Sequence, residues 1–234
     1  MLGGLRHIPD SSGTVNIYHD REFPTINARN YHIESLKIIE DKYRFEKPTA
    51  DATIINLPGE PLIRADHVHP DTYIFLRNLY LSRIHISDIS RKKIYLTRKD
   101  SGILNPANRG KLCRHILNED EIIPDLNRLG YEIIRLEDYT FEEKVKLFNT
   151  ASVIISPNSG GLTFSLFAGA HTKIIEILPS VISDHDHYKN ICTTLGVQYH
   201  RFTGVTTTGD RPALGNTWNM ILNKPSFINF IENL

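Results

Sequence analysis

The spacing of apolar positions changes character near residue 90, and the two stretches read differently. Beyond that point, short β-branched runs alternate with helical patterns. Residues 93–97 predict a strand, followed by a polar loop through Gly110. Asn118, with Glu121 three residues on, has the form of a helix N-cap ahead of Ile122, Ile123, Leu126 and Leu129. Pro124 suits a helix interior poorly, which admits a later start with the proline in the first turn. Gly130 ends that helix, and residues 132–136 predict the next strand. Thr140 and Glu143 spell a capping box for a helix whose Phe141, Val145 and Phe148 share one face. A buried strand at 152–155, a Ser156-Pro157-Asn158-Ser159-Gly160-Gly161 turn and a short apolar helix to Ala168 follow. Residues 173–177 predict a strand, 187–195 a helix and 197–200 a last strand. Such alternation calls for a parallel sheet with helices on both faces, an α/β arrangement that is Rossmann-like in class.

The first 90 residues are less regular. Residues 15–18 and 52–55 predict strands, and 27–41 a helix carrying Ile33, Leu36 and Ile39. Another helix runs from Pro70 to about Ser82, with Tyr73, Leu76, Leu79 and Tyr80 at helical spacing. The expected division is a short N-terminal α/β part over 1–88 and a Rossmann-like domain over 89–234, hinged near 86–91.

Composition narrows the classes. The chain has 234 residues and 40% hydrophobic content, enough for a full core and too much for global disorder. Its 27 basic and 27 acidic residues cancel, so no global field draws nucleic acid or an anionic membrane. No stretch approaches the ~18 consecutive apolar residues of a membrane span, and the start lacks a signal peptide's apolar region. Cys113 and Cys192 stand in neither a CxxC nor a zinc spacing and read as reduced thiols. The expectation is a soluble, cytoplasmic chain.

The motifs of several large enzyme classes are missing: the GxGxxG dinucleotide fingerprint, the Walker A loop and the G-x-S-x-G nucleophile elbow. Ser159-Gly160-Gly161-Leu162-Thr163 lies between a strand and a helix, where free N–H groups suit a pyrophosphate or carboxylate. A tight turn capped by Ser159 explains the same residues. Arg98 follows the 93–97 strand and Arg114 the next loop; guanidinium forks there suit phosphate oxygens, though each also reads as a surface charge. Glu176, at the end of a predicted strand, is placed either to accept from ribose hydroxyls or to cap a neighbouring helix. His67-Val68-His69 has no third metal ligand at useful spacing, so Asp66, His67 and His69 stand as candidate bases. Residues 184–187 (Asp184-His185-Asp186-His187) read as a solvated polar loop. No metal site is expected.

Several segments stand in a recognisable order. They are Ile94-Tyr95-Leu96-Thr97-Arg98, Arg114-His115-Ile116-Leu117-Asn118-Glu119, Gly130-Tyr131-Glu132-Ile133-Ile134, Phe141 to Phe148, Ala151 to Thr163, and Ile174-Ile175-Glu176-Ile177-Leu178-Pro179. Over residues 90–200 this set resembles the family 61 glycosyltransferases, which include xylosyl- and N-acetylglucosaminyltransferases and capsular-polysaccharide enzymes. The resemblance implies a GT-B architecture whose C-terminal domain holds most of a nucleotide-sugar donor, with a glycan as acceptor. It also implies inversion at the anomeric carbon with no bound metal or other cofactor. By position, Arg98 and Arg114 would neutralise the diphosphate leaving group. Asn158, Ser159, Gly160, Gly161, Leu162 and Thr163 would cradle it or its nucleotide, and Glu176 would sit near the ribose or base.

Two departures bear on that reading. Where the family carries His-Gly-Ala-Gly, this chain has Asn158-Ser159-Gly160-Gly161, and an amide cannot carry a proton. The N-terminal part is short or incomplete, and Asn30-Tyr31-His32 only partly echoes the family's Asn-Tyr-x-His-Trp motif. The expectation is a sugar transferase of polysaccharide biosynthesis. Its rival is a non-catalytic nucleotide- or glycan-binding module of the same fold.

Overall fold

The computed structural model describes residues 15–18, 34–35, 37–41, 43–46, 69–87, 90–99, 114–182, 185–206 and 218–234. Strands β1 (Val15–Tyr18) and β2 (Tyr43–Glu46) pair in parallel as a two-stranded sheet. Helix α1 (Pro70–Leu81) follows. The main sheet has six strands: β3 (Lys93–Leu96), β4 (Tyr131–Ile134), β5 (Val153–Pro157), β6 (Lys173–Pro179), β7 (Gln198–Thr206) and β8 (Met220–Ile221). Their spatial order is β4-β3-β5-β6-β7-β8, parallel except for β8. Helices α2 (Glu119–Arg128), α3 (Phe141–Thr150), α4 (His187–Thr194) and α5 (Lys224–Glu232) cover it, with a 3-10 stretch at Gly160–Phe167. The α/β, Rossmann-like class is therefore as expected.

Strand alternation divides the core by face, since neighbouring side chains point to opposite sides. Ile94, Leu96, Ile154 and Ile174 pack with α1, α3, α4 and the 3-10 stretch through Tyr80, Phe141, Phe148, Phe164 and Ile191. Tyr95, Ile155, Ile175 and Ile177 face the other way, onto Ile122 and Leu126 of α2 and Phe227 and Ile231 of α5. Arg77 ties α1 to the first layer by donating to the carbonyls of Leu166 (2.8 Å) and Ala168 (2.7 Å), where the 3-10 stretch ends. No helix among the described residues is long and apolar enough to cross a membrane.

Local expectations meet mixed outcomes. The Thr140–Glu143 capping box forms in both directions, and Glu34 accepts a further bond from Phe141 N at 2.6 Å. Gly130 takes φ +81° just past α2, the left-handed stop that glycine makes easily. Asn118 stands at the N-cap of α2 but does not cap it. Its amide instead donates to Leu222 O (2.9 Å) and accepts from Leu222 N (3.0 Å), two bonds where a cap would make one. Pro124 lies inside α2, not in its first turn; it faces solvent, where its ring crowds no neighbouring element. The last expected strand continues to Thr206, and β2, β8 and α5 were not expected. Of the expected 27–41 helix, only helical residues at 34–35 and 37–38 are described; the strand at 52–55 lies outside the described residues.

Candidate active site

In chain order the sheet runs outward from β3 to β4, then returns past β3 to β5, β6 and β7. The carboxyl ends of β3 and β5 thus flank the point where strand order reverses, which is where open α/β sheets bind ligands. Thr97 and Arg98 leave β3 at this point, and Asn158 and Ser159 leave β5 beside them.

Arg114 reaches the same place from the segment before α2. That segment is pinned by tertiary bonds. Met220 N donates to His115 O (2.9 Å), Leu117 N to Met220 O (2.9 Å), and His115 N to the Asn219 side chain (3.0 Å). Arg114 itself takes φ +58°, the left-handed region that costs a non-glycine residue roughly 1–2 kcal/mol. Its Nη1 sits 3.5 Å from the Asn158 carbonyl. The end of β3 is fixed by Glu119, which accepts from Tyr95 OH and Thr97 Oγ1, both at 2.7 Å.

The 159–163 turn is built unevenly. Ser159 is buried and makes no cap bond; its Oγ lies 3.5 Å from Ser156 Oγ. Leu162 is wholly buried in the first core layer, and its N–H closes the turn onto Ser159 O at 3.0 Å. A Cβ on Gly161 would come within 2.8 Å of Leu136 Cδ2, so a larger residue there needs the tip of that leucine to move. A Cβ on Gly160 would meet nothing within 4 Å, so that face of the turn is open to a ligand. Tyr188 of α4 donates to Ser159 O at 2.6 Å. Burial pushes its phenol up to about 12, aided by the charge of Glu176 and opposed by Arg114, Thr163 and Arg98. Both arginines and Thr163 therefore lie within electrostatic reach of one tyrosine oxygen.

Beneath the turn runs a polar row. Register places Ile154, Ile174 and Tyr199 abreast, and two residues on it places Ser156, Glu176 and Arg201 abreast on the same face. The layer is thus apolar under the helices and polar towards the carboxyl edge. Glu176 is fully buried, in mid-strand and not at a strand end, and accepts from the Tyr199 hydroxyl and the Asn158 amide. Burial pushes its carboxyl above the usual carboxylate range, against the pull of those two bonds. Arg201 donates to Tyr199 OH (3.2 Å), to Asp186 (2.9 Å) and to the His185 carbonyl (2.8 Å). His185 and Asp186 therefore join this network while staying partly exposed, whereas Asp184 of that stretch lies outside the described residues. His185, Tyr188, Tyr199 and Arg201 were all missed; the i, i+2 step from Tyr199 to Arg201, in parallel with Ile174 to Glu176, was the available signal.

His69 stands apart as the N-cap of α1, exposed, with its Nδ1 accepting from Asp71 N at 3.3 Å. Asp66 and His67 lie outside the described residues. Among the described residues, no three His, Cys, Asp or Glu side chains gather as a metal-ligand set.

Residues 52–175, over half of the sequence, match the Glycosyltransferase 61 family. The chain belongs to that family. The family 61 match starts before α1 and takes in the ends of β3 and β5 together with the whole 159–163 turn. A β-1,2-xylosyltransferase of Arabidopsis thaliana is 26% identical over 127 residues, covering 49% of this chain and 24% of that protein. A protein O-linked-mannose β-1,4-N-acetylglucosaminyltransferase 2 of Mus musculus is 31% identical over 90 residues, covering 36% and 15%. This family 61 chain thus spans less than a quarter of either relative's length.

Proposed function

We propose that the protein is a glycosyltransferase that moves a sugar from a nucleotide-sugar donor to a glycan hydroxyl, with inversion and without a divalent metal. The observation that carries this reading is the placement of Arg98 at the end of β3 and of Arg114, 3.5 Å from the Asn158 carbonyl, beside the open Gly160 turn at the reversal point of the sheet. A departing nucleoside diphosphate develops negative charge, and preorganised cations there stabilise the transition state more than the ground state. The named relatives, a xylosyl- and an N-acetylglucosaminyltransferase, support the same class. Asp66, His67 and His69 are the candidates for the base that deprotonates the acceptor. Glu176 contributes to the donor site by orienting Asn158 from below.

The experiment is a titration with nucleoside diphosphates. Arg98→Ala or Arg114→Ala should weaken binding by roughly 1.5–3 kcal/mol, the scale of a charge-assisted hydrogen bond. The bare nucleoside should bind each variant as it binds the parent. Unchanged diphosphate binding in both variants would move the site elsewhere. Titrations in EDTA and in excess Mg²⁺ or Mn²⁺ should agree within tenfold, or about 1.4 kcal/mol; a larger gain with metal overturns metal independence.

A second reading has its own observation. Asn158, where the family motif carries histidine, is a buried amide that donates to Glu176 and cannot take up or release a proton as histidine does. That favours a binding module that kept the donor site without turnover. Acceptor-dependent release of nucleoside diphosphate separates the two: release supports the transferase, and saturable binding with no release supports the module.

A further inference from the structure

His185 lies where the buried network meets the turn. The Glu176 carboxylate needs a donor from Asn158, so the amide nitrogen of Asn158 faces it. The second hydrogen of that nitrogen is then free for the His185 ring, whose Nδ1 lies 3.4 Å away. An Nδ1 that accepts leaves the neutral imidazole's proton on Nε2, on the far side of the ring. The backbone is held as well, because Arg201 donates to the His185 carbonyl at 2.8 Å. The ring packs 5.8 Å from that of Tyr188, which itself binds Ser159 O. Both neighbours of this imidazole, Asn158 and Tyr188, are thus tied to the start of the 159–163 turn.

We propose that His185 is a further anion-binding residue of the donor site, using Nε2–H to hold a phosphate oxygen of the nucleoside diphosphate. The proposal rests on the donor-site reading above and adds a directional N–H donor to the two arginine charges. It also gives the buried carboxylate a task at the surface: Glu176 orients Asn158, and Asn158 orients His185. The charged and titratable groups around the ring are Glu176, Tyr188, Asp186 and Arg201, with Arg114 acting on Tyr188 from the other side. Of the four immediate neighbours Arg201 alone carries side-chain N–H groups, and its Nε and Nη2 are engaged with Tyr199, Asp186 and the His185 carbonyl.

The test uses the full chain and inorganic pyrophosphate, measured by calorimetry on the parent, on three variants of His185 and on Arg98→Ala. Each half of the imidazole has an amide that imitates it. His185→Asn keeps an oxygen near the Nδ1 position but lacks a donor at Nε2. His185→Gln places an amide N–H close to Nε2. The proposal expects His185→Ala and His185→Asn to bind pyrophosphate about tenfold more weakly, the size of one hydrogen bond to a charged group. His185→Gln should stay within about threefold of the parent, a residual well under one such bond. Thermal unfolding of the Asn and Gln variants should agree, since both keep the loop's backbone bonds. Any result in which His185→Gln binds no better than His185→Asn overturns the assignment. If Arg98→Ala then still loses pyrophosphate, the donor site stands without His185. If the parent itself binds no pyrophosphate, the donor-site reading fails and this proposal with it.

Discussion

A single backbone angle links stability to function at Arg114. Its φ of +58° is unfavourable for any side chain with a Cβ, and the pairing of residues 115–117 with the 219–220 segment holds it there. Arg114→Gly should therefore be more stable than Arg114→Ala by about 1 kcal/mol while losing diphosphate binding to the same degree. Urea midpoints beside binding titrations check this; equal stabilities would mean that the backbone relaxes once the guanidinium is gone. Glu119 offers a second residue-scale test, through pH. Burial pushes its carboxyl above the usual carboxylate range, opposed by the bonds from Thr97 and Tyr95. A carboxyl with a raised folded pKa stabilises the fold below its unfolded pKa and loses that contribution as pH rises through the folded one. Glu119→Gln does not ionise, and the Tyr95 and Thr97 hydroxyls can still pair with its amide. From pH 4 to 8 the stability difference should move steadily in the variant's favour, and a flat difference would place the ionised carboxylate at no cost.

Of the two helix caps that the sequence suggested, at α2 and α3, the one at α3 survives intact. Thr140 Oγ1 accepts from Glu143 N (3.3 Å), and Glu143 Oε2 accepts from Thr140 N (2.8 Å). The bonds that Thr140 N and Thr140 Oγ1 (2.7 Å) donate to its Oε2 hold the Glu143 carboxyl below the usual carboxylate range. A lowered pKa contributes stability above the unfolded value, which is lost as pH falls through the folded one. Thr140→Ala should cost about 1 kcal/mol near neutral pH, and less once Glu143 is protonated in acid. Thermal melts at pH 7 and pH 3 measure the contrast, and an equal loss at both would assign the effect to the hydroxyl alone. Helix α2 teaches the opposite lesson. Its first turn is rich in carboxylates at Glu119, Asp120 and Glu121, which suits the positive end of the helix dipole. The side chain that looked like its cap is taken by Leu222, more than a hundred residues away.

At the scale of the whole molecule, the C-terminal segment completes one layer of the core. Phe227 is fully buried among Phe202, Ile177 and the residues of α2, so α5 is a structural half of that face. Phe227→Ala should cost roughly 3–5 kcal/mol, the range for removing a buried aromatic ring. A urea midpoint near the parent's would mean that α5 only decorates the sheet. The alternation of β-branched runs with helical spacing, by itself, determined the parallel sheet, its strands β3 to β7 and the order of the helices, because burial on both faces demands near-continuous apolar strands. Arg98, Arg114 and the glycine turn could each be placed from the sequence at a strand end or a helix start. What only the tertiary structure decided is the company those residues keep. Strand register brought Glu176 between Ser156 and Arg201, and the Met220 bridge bent the chain at Arg114. The partners of Asn118 and Asn158 were likewise set by groups distant in sequence. Hydrophobic period is a local property and can be read along the chain, whereas a buried polar group takes whichever partner the packing delivers.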